Sequence, residues 1–174
     1  EAARDMHPSQ PARLRPPDEA ATLEYGHALA AILAHPATRV ALLLRGDLGS
    51  GKTTLVRGLA GALPGGDEAE VASPSFNIVN VYPTRPEVFH VDLYRIPGGD
   101  PCVEEHLEAA LENEAVAVVE WAQHLPRALA PPDRLECDWL PVPSGRLCEL
   151  TAHGRRGAAA LAALIAACPN LLDR

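Results

Sequence analysis

The spacing of hydrophobic positions predicts the elements in the first half of the chain. From Asp18 onward, apolar residues recur every three or four positions, which predicts an amphipathic helix capped by Asp18. A short continuous apolar run at 39–44 predicts a strand. A glycine-rich loop follows, and a second helical pattern starts at Lys52 and stops at Pro64. The predicted order is therefore helix, strand, loop, helix.

Strands and helices continue to alternate in the second half. Two segments, 76–82 and 87–94, flank a proline-containing turn and predict a β-hairpin. A short helix is predicted from Cys102, and the apolar segment 115–121 is typical of a strand buried on both faces of a parallel sheet. Two late strands and a closing helix from Ala158 complete the pattern. The elements predict an α/β fold with a mixed central β-sheet flanked by helices.

Domain organisation follows from length and from the proline-rich start of the chain. At 174 residues, a single domain with its own core is expected. Residues 1–17 contain several prolines and no apolar period, so we expect a disordered leader before a folded domain at 18–174.

Charge and composition argue against several classes of protein. The net charge is −8, and no basic stripe is present, so direct tight binding to a nucleic-acid backbone is disfavoured. No apolar run reaches the length of a membrane helix, and no signal-peptide pattern begins the chain, so we expect a cytoplasmic protein without membrane association. The four cysteines are widely scattered, which argues against a zinc site or a disulfide framework.

The loop GDLGSGKTT contains the only lysine of the chain, Lys52, whereas the other fourteen basic residues are arginines. Gly46, Gly51, Lys52 and Thr53 fit the phosphate-binding P-loop pattern, in which glycines let backbone N–H groups face a phosphate. A compact ammonium on a flexible stem reaches phosphate oxygens where a planar guanidinium fits poorly. Thr53 is expected to bind Mg²⁺, and Thr54 to lie close to the α-phosphate. The motif predicts a single P-loop NTPase-like domain.

Two carboxylates end neighbouring predicted strands. A magnesium–nucleotide site needs an acidic group at such a position, and Asp92 and Glu120 both qualify. Sequence order alone leaves open which one contacts the metal directly. His90 shares a strand face with Asp92 and is therefore expected near the same site.

Two further observations bear on the nucleotide. The segment Ser73–Phe76 lies where switch-type NTPases direct a hydroxyl toward the γ-phosphate, although a Ser-Pro turn that opens a strand explains it equally. The guanine-reading motif Asn/Thr-Lys-x-Asp needs a second lysine, which is absent, so ATP is favoured over GTP.

Five segments in order resemble one known family. They are PDEAATLEYG, LRGDLGSGKTTLVRGL, VASPSFNIVNVY, FHVDLYRI and VVEWAQ, and together they resemble the TsaE family, also called YjeE. The resemblance covers about 17–123 and continues more faintly to the closing helix. It implies a small P-loop ATPase that binds ATP and Mg²⁺, hydrolyses ATP slowly by itself, and is needed for threonylcarbamoyladenosine modification of tRNA beside the anticodon. It implies the TsaD and TsaB proteins as partners, with tRNA contacted only indirectly through the complex.

The resemblance also implies roles for individual residues. Cofactor-binding positions are Glu19, Gly49, Ser50, Gly51, Lys52, Thr53, Thr54, Gln123 and Arg146. Thr53 and Glu120 correspond to the magnesium site, and Lys52 and Asp92 to the catalytic positions. Ser75 keeps a hydroxyl of the switch segment, whereas Asn77 replaces the usual threonine.

Two alternatives to an ATPase subunit remain open at this stage. A small-molecule kinase would use the same loop to phosphorylate a metabolite. A nucleotide-dependent binding module would need ATP occupancy without hydrolysis.

Overall fold

The computed structural model describes residues 11–47, 51–72, 78–96 and 100–173. The helices of these residues are α1 (Glu19–Ala34), α2 (Lys52–Ala62), α3 (Pro101–Glu112) and α4 (Gly154–Ala167). The strands are β1 (Ala12–Leu14), β2 (Ala41–Arg45), β3 (Val79–Tyr82), β4 (Val88–Asp92), β5 (Val116–Glu120), β6 (Arg134–Leu140) and β7 (Leu147–His153). No helix of the described residues combines the length and hydropathy that crossing a bilayer requires.

The strands form one mixed seven-stranded sheet in the order β1-β7-β6-β2-β5-β4-β3. Strands β6, β2, β5 and β4 run parallel to one another in the centre, and the remaining pairs are antiparallel. The predicted hairpin is confirmed as the β3–β4 pair, and the predicted doubly buried strand is β5, in which every residue is buried. The predicted α/β fold with a mixed sheet is therefore confirmed.

Helices cover both faces of the sheet. Helices α1, α2 and α4 pack on one face, and their core includes the alternate residues Leu42 and Leu44 of β2. Helix α3 packs on the other face against Leu43. Because successive side chains of a strand point to opposite faces, a single apolar strand feeds both cores.

Helix α1 begins where the sequence predicts, because the Asp18 side chain accepts a hydrogen bond from the Ala21 N–H at 2.8 Å. Helices α1 and α2 approach closely at two glycines. A Cβ atom at Gly26 would lie 2.6 Å from the Leu55 carbonyl oxygen, and one at Gly58 would lie 2.7 Å from that of Leu23. The two glycines therefore set the position of α2, which the glycine-rich loop precedes.

The prediction of a disordered leader through residue 17 is wrong for its last part. Ala12–Leu14 pairs with β7 as an edge strand, and the Arg15 N–H donates to the Leu171 carbonyl at 2.6 Å. The Arg146 N–H donates to the Pro16 carbonyl at 3.0 Å. The segment is too short to show a hydrophobic period, and its hydrogen-bond partners lie near the other end of the chain, so the local sequence does not predict a strand. Residues 1–10 lie outside the described residues.

Candidate functional site

The chemically important side chains lie where three parallel strands end. Strand β2 runs into the glycine-rich loop, while β4 ends at Asp92 and β5 ends at Glu120. Asp92 and Glu120 are direct neighbours across the β4–β5 pair, and Glu120 is opposite Leu44 of β2. In open α/β sheets, ligands bind at this carboxyl edge of the strands.

Helix α2 presents its N-terminus to this edge. Gly51 occupies the N-cap position of the helix with φ of 102°, in the left-handed region that favours glycine. It has no side chain, so the first N–H groups of α2 receive no capping hydrogen bond from it. A Cβ atom there would also lie 2.7 Å from Arg146 Nε, so the arginine side chain lies directly over this glycine. The first N–H groups of a helix and its positive end together attract phosphate. The neighbouring Gly49 and Ser50 lie outside the described residues.

The single lysine lies at the first position of α2 and is 5% exposed. Lys52 Nζ donates to the carbonyl oxygens of Gly46 and of Asp47, the latter at 2.9 Å, and lies 4.7 Å from the centre of the Trp121 ring. Burial lowers the pKa of Lys52 below its ordinary value, against the opposing effect of Glu120. Among the described residues, its ammonium group contacts backbone carbonyls and an aromatic face and forms no ion pair with a carboxylate.

The two carboxylates differ in their surroundings. Glu120 is 3% exposed, and its Oε1 accepts a hydrogen bond from Thr53 Oγ1 at 3.2 Å. Asp92 is half-buried, and its Oδ1 accepts a hydrogen bond from the Tyr94 N–H at 2.9 Å. Burial raises the pKa of Asp92, and the nearby charge of Glu120 raises it further. The second effect is repulsion between the two carboxylates across the β4–β5 pair.

The oxygen atoms of Thr53, Glu120 and Asp92 fit Mg²⁺, a metal that takes few protein ligands, better than a metal that is bound entirely by protein side chains. Thr53 supplies a hydroxyl, and Glu120 and Asp92 supply carboxylates at the phosphate-binding end of α2. In the part of the chain that the structure describes, no group of three or more His, Cys, Asp or Glu side chains could hold a metal ion. Mg²⁺ is usually bound by one or two carboxylates and completes its shell with waters and substrate phosphates.

The remaining predicted residues lie at varying distances from this centre. Thr54 is half-buried in the first turn of α2, and Gln123 is exposed in the short 3₁₀-helix that follows β5. Glu19 starts α1 and is exposed, and its carboxylate lies 3.7 Å from Arg57 of α2. The structure thus brings Arg146 to the P-loop, whereas Glu19 contacts the outer part of α2. Ser75 and Asn77 of the predicted switch segment lie outside the described residues.

Sequence reasoning found the neighbourhood of His90 but not its contacts, and it missed Tyr82 entirely. His90 is fully buried, with Nε2 2.5 Å from Glu120 Oε2 and Nδ1 2.8 Å from the Tyr82 hydroxyl. The alternation of β4 was the available signal for His90, because it places the ring on the same face as Asp92. Tyr82 reads as an ordinary strand residue, and only the pairing of β3 with β4 brings it to the site.

Trp121 directly follows Glu120 at the end of β5. It has φ of 57°, one of two non-glycine residues with positive φ among the described ones. Its ring packs against Tyr94 at 4.9 Å and against His124 at 5.7 Å between ring centres. A strained backbone of this kind persists only where its surroundings hold it, and here the strain turns the indole toward Lys52.

Known proteins share both the sequence and the fold. The family model described as "Threonylcarbamoyl adenosine biosynthesis protein TsaE" matches residues 16–144, more than half of the chain. The tRNA threonylcarbamoyladenosine biosynthesis protein TsaE of Streptomyces coelicolor is 43% identical over 86 residues, which are 47% of this chain and 56% of that protein. The protein of the same name from Synechocystis is 39% identical over 118 residues, 64% of this chain and 70% of its own.

One solved structure is also similar. The crystal structure of YdiB from Bacillus subtilis superposes with a TM-score of 0.66 and 25% identity, over 89% of this chain and 94% of that one. The sequence alignments are shorter, since the chain spans little more than half the length of the Streptomyces coelicolor and Aquifex aeolicus relatives. The family match contains the glycine-rich loop, Asp92 and Glu120, so the fold and these residues lead to one conclusion: the chain belongs to the TsaE family.

Proposed function

We propose that this protein binds ATP with Mg²⁺ at the N-terminus of α2, hydrolyses it, and thereby supports threonylcarbamoyladenosine modification of tRNA together with the TsaD and TsaB proteins. One observation carries the proposal. The only lysine of the chain starts α2 with its ammonium bound to the loop carbonyls, beside a hydroxyl and two carboxylates. Membership of the TsaE family supports the pathway.

Binding of the triphosphate rests on positive charge that the chain itself supplies. Lys52 is the first residue of α2, so its positive charge and the first N–H groups of that helix both attract the β- and γ-phosphates. Arg146 lies over Gly51 and adds a guanidinium to that side. These groups hold the phosphates in one geometry and stabilise the negative charge that develops during phosphoryl transfer.

The magnesium position follows from the oxygens available. Thr53 and Glu120 would hold the ion, which when bound neutralises charge shared between the β- and γ-phosphates. Glu120 is buried and cannot move far, so it fixes where the ion lies relative to α2. Asp92 is less buried and is one strand further from the loop.

Asp92 is the residue that we assign to the attacking water. One of its oxygens is held by the Tyr94 N–H, and the other has no hydrogen-bond partner within the described residues. Burial raises the pKa of Asp92, which makes it a better proton acceptor than an exposed aspartate. Water attacks the γ-phosphorus, the bond between the β,γ-bridging oxygen and phosphorus breaks, ADP leaves with that electron pair, and the water proton passes to Asp92.

The partners are proposed from charge and family together. A net charge of −8 disfavours direct binding to tRNA, so contact with tRNA runs through the complex with TsaD and TsaB.

The proposed function is tested by measuring phosphate release from ATP by the pure protein, with and without TsaB and TsaD, and with no metabolite added. We expect slow magnesium-dependent release that the partners accelerate, and loss of release in Lys52→Ala. Arg57→Ala is the matched control, because it removes an exposed cation from the same helix. Release that requires a metabolite, which then leaves carrying the phosphate, would identify a kinase and contradict the proposal.

A further inference from the structure

A continuous line of hydrogen bonds leads away from the proposed magnesium site. Thr53 Oγ1 donates to Glu120 Oε1 at 3.2 Å, and Glu120 Oε2 lies 2.5 Å from His90 Nε2. His90 Nδ1 lies 2.8 Å from the Tyr82 hydroxyl, which donates to the Ala72 carbonyl oxygen at 3.1 Å. The line thus joins α2, β5, β4 and β3 to the last described residue before 73–77.

The middle of this line is shielded from solvent. His90 is 0%, Glu120 is 3% and Tyr82 is 4% exposed. A buried polar group that loses its partner cannot turn to water instead, so each of the three side chains depends on the next for its orientation. Packing also fixes the rings, since the Tyr82 and His90 ring centres are 5.8 Å apart.

The Tyr82 hydroxyl has one proton and two neighbours that are able to accept it. When it donates to the Ala72 carbonyl, it no longer donates to His90 Nδ1. When it donates to His90 instead, the Ala72 carbonyl is left with a weaker hydrogen bond from Asn80 Nδ2 at 3.3 Å. A displacement of the chain at Ala72 therefore changes the hydrogen bonding of the ring that holds Glu120.

We propose that Tyr82 and His90 are positioning residues that hold Glu120 in place for the magnesium ion and connect it to the backbone at Ala72. The proposal rests on the proposed function, because it assigns a task to Glu120 as a metal ligand. In this proposal both residues act through Glu120 and are assigned no contact of their own with nucleotide or metal. Carboxylates and imidazoles behind a metal ligand fix its orientation, and their removal typically costs about 10–100-fold in metal affinity or activity.

The alternative is that these two residues only satisfy buried polar atoms of the core. The two explanations differ in what a mutation changes. A core role lowers the stability of the fold and leaves the bound state of the folded fraction intact. A positioning role changes how strongly magnesium contributes to nucleotide binding in protein that remains folded.

The test measures the Kd of an unreactive ATP analogue by calorimetry, once with Mg²⁺ and once with a chelator. The Kd with the chelator divided by the Kd with Mg²⁺ gives the gain in affinity that magnesium provides, and this ratio reports how well the protein holds the ion. For Tyr82→Phe, which removes one oxygen atom, we expect the Kd without metal to stay at the wild-type value and the ratio to fall by about tenfold. The matched control is Tyr25→Phe, which removes a buried hydroxyl that contacts only Cys137 and Cys148 among the described residues, and its ratio should equal that of wild type.

Two more substitutions locate the effect along the line. In His90→Gln an amide N–H is still able to donate to Glu120, whereas His90→Leu offers none, so the ratio should fall further in the leucine variant. If His90→Leu fails to fold, the comparison of Tyr82→Phe with Tyr25→Phe still decides.

An unchanged ratio in folded Tyr82→Phe would overturn the proposal while leaving the proposed function intact. An equal fall in Tyr25→Phe and Tyr82→Phe would overturn it as well, because the effect would then be general to the core. Wild-type protein that binds no ATP analogue under either condition would refute the proposed function, and the positioning roles with it.

Discussion

Two glutamates on either side of β2 show how differently the same fold treats a carboxylate. Glu120 on β5 and Glu136 on β6 both lie on strands that pair with β2, opposite Leu44 and Leu43, respectively. Glu136 is held by two guanidinium groups, from Arg134 at 2.9 Å and Arg45 at 3.2 Å. Glu120 has no arginine or lysine within salt-bridge distance in the described part of the chain, and the residue next to it is another acid, Asp92.

The pKa of Glu136 and the pKa of Asp92, the neighbour of Glu120, shift in opposite directions. Burial raises the pKa of Glu136, but the hydrogen bond from Arg134 and the charge of Arg45 outweigh it and leave the pKa below its ordinary value. Burial raises the pKa of Asp92, and the opposing groups do not reverse the shift. The chain thus pairs Glu136 with its own guanidinium groups, whereas at Asp92 the nearby cationic groups do not outweigh burial and the charge of Glu120. A pair of carboxylates whose charge is only partly offset is where a cation from outside is expected to bind.

The largest expected effect is at Lys52, the cation whose charge acts on Asp92 and Glu120. Lys52→Ala should reduce phosphate release by at least about a hundredfold, because one preorganised charge at the transferred phosphoryl group is lost. Lys52→Arg keeps the charge and should rescue little of the activity, since the guanidinium does not fit the loop. Arg134→Ala, in the balanced cluster, should keep most of the activity, and comparable losses in Arg134→Ala and Lys52→Ala would remove the distinction between the two regions.

Replacing Asp92, the carboxylate assigned to the attacking water, by a neutral residue should lower activity without lowering stability. Asp92→Asn should lower phosphate release by about a hundredfold or more through loss of the proton acceptor. The same change removes a like charge from beside Glu120, so the free energy of unfolding should stay equal or rise. Phosphate release and urea unfolding of the same preparation measure both quantities. A strongly destabilised Asp92→Asn protein would show that the pair is structural.

Glu136→Gln should have the opposite profile, with activity near wild type and the free energy of unfolding lowered by about 1–2 kcal/mol. The pH dependence has a defined sign. Because the folded-state pKa of Glu136 lies below the unfolded value, its ionised form stabilises the fold above the unfolded pKa, and this contribution is lost as the pH falls through the folded pKa. Urea unfolding across this range should therefore show the two proteins converging in acid. A constant difference at every pH would contradict the assignment.

The smallest effect is optical. Trp121 lies beside Lys52, whereas Trp139 is 4% exposed and packs against Tyr25, 6.2 Å between ring centres. Adding ATP and Mg²⁺ should change the fluorescence of wild type and of Trp139→Phe but not that of Trp121→Phe. A signal that disappears with Trp139 instead would place the nucleotide on the other side of β2.

Much of this organisation could be predicted from the sequence because it depends on local patterns. The apolar run of β2, the loop and the period of α2 lie within a few residues of one another, so their order identifies the P-loop directly. Asp92 and Glu120 were each predicted to end a strand, and β4 and β5 do end at these residues. Their direct pairing becomes visible only in the sheet.

The rest depends on contacts between distant segments. The edge strand Ala12–Leu14 is stabilised by β7, more than 130 positions away, so its sequence alone resembles a proline-rich leader. The Tyr82–His90–Glu120 line needs three strands in register before any of its hydrogen bonds exists. The same holds for the Arg45–Glu136 pair, whose partners are 91 positions apart in the sequence.

The most direct test of the charge comparison is a crystal structure with an unreactive ATP analogue and Mn²⁺ in place of Mg²⁺, because the anomalous signal of manganese locates the ion. The account predicts one manganese site at the Thr53 hydroxyl and the Glu120 carboxylate, with the triphosphate at the N-terminus of α2. Manganese at Glu136 and Asp138, or a nucleotide bound away from Lys52, would contradict it.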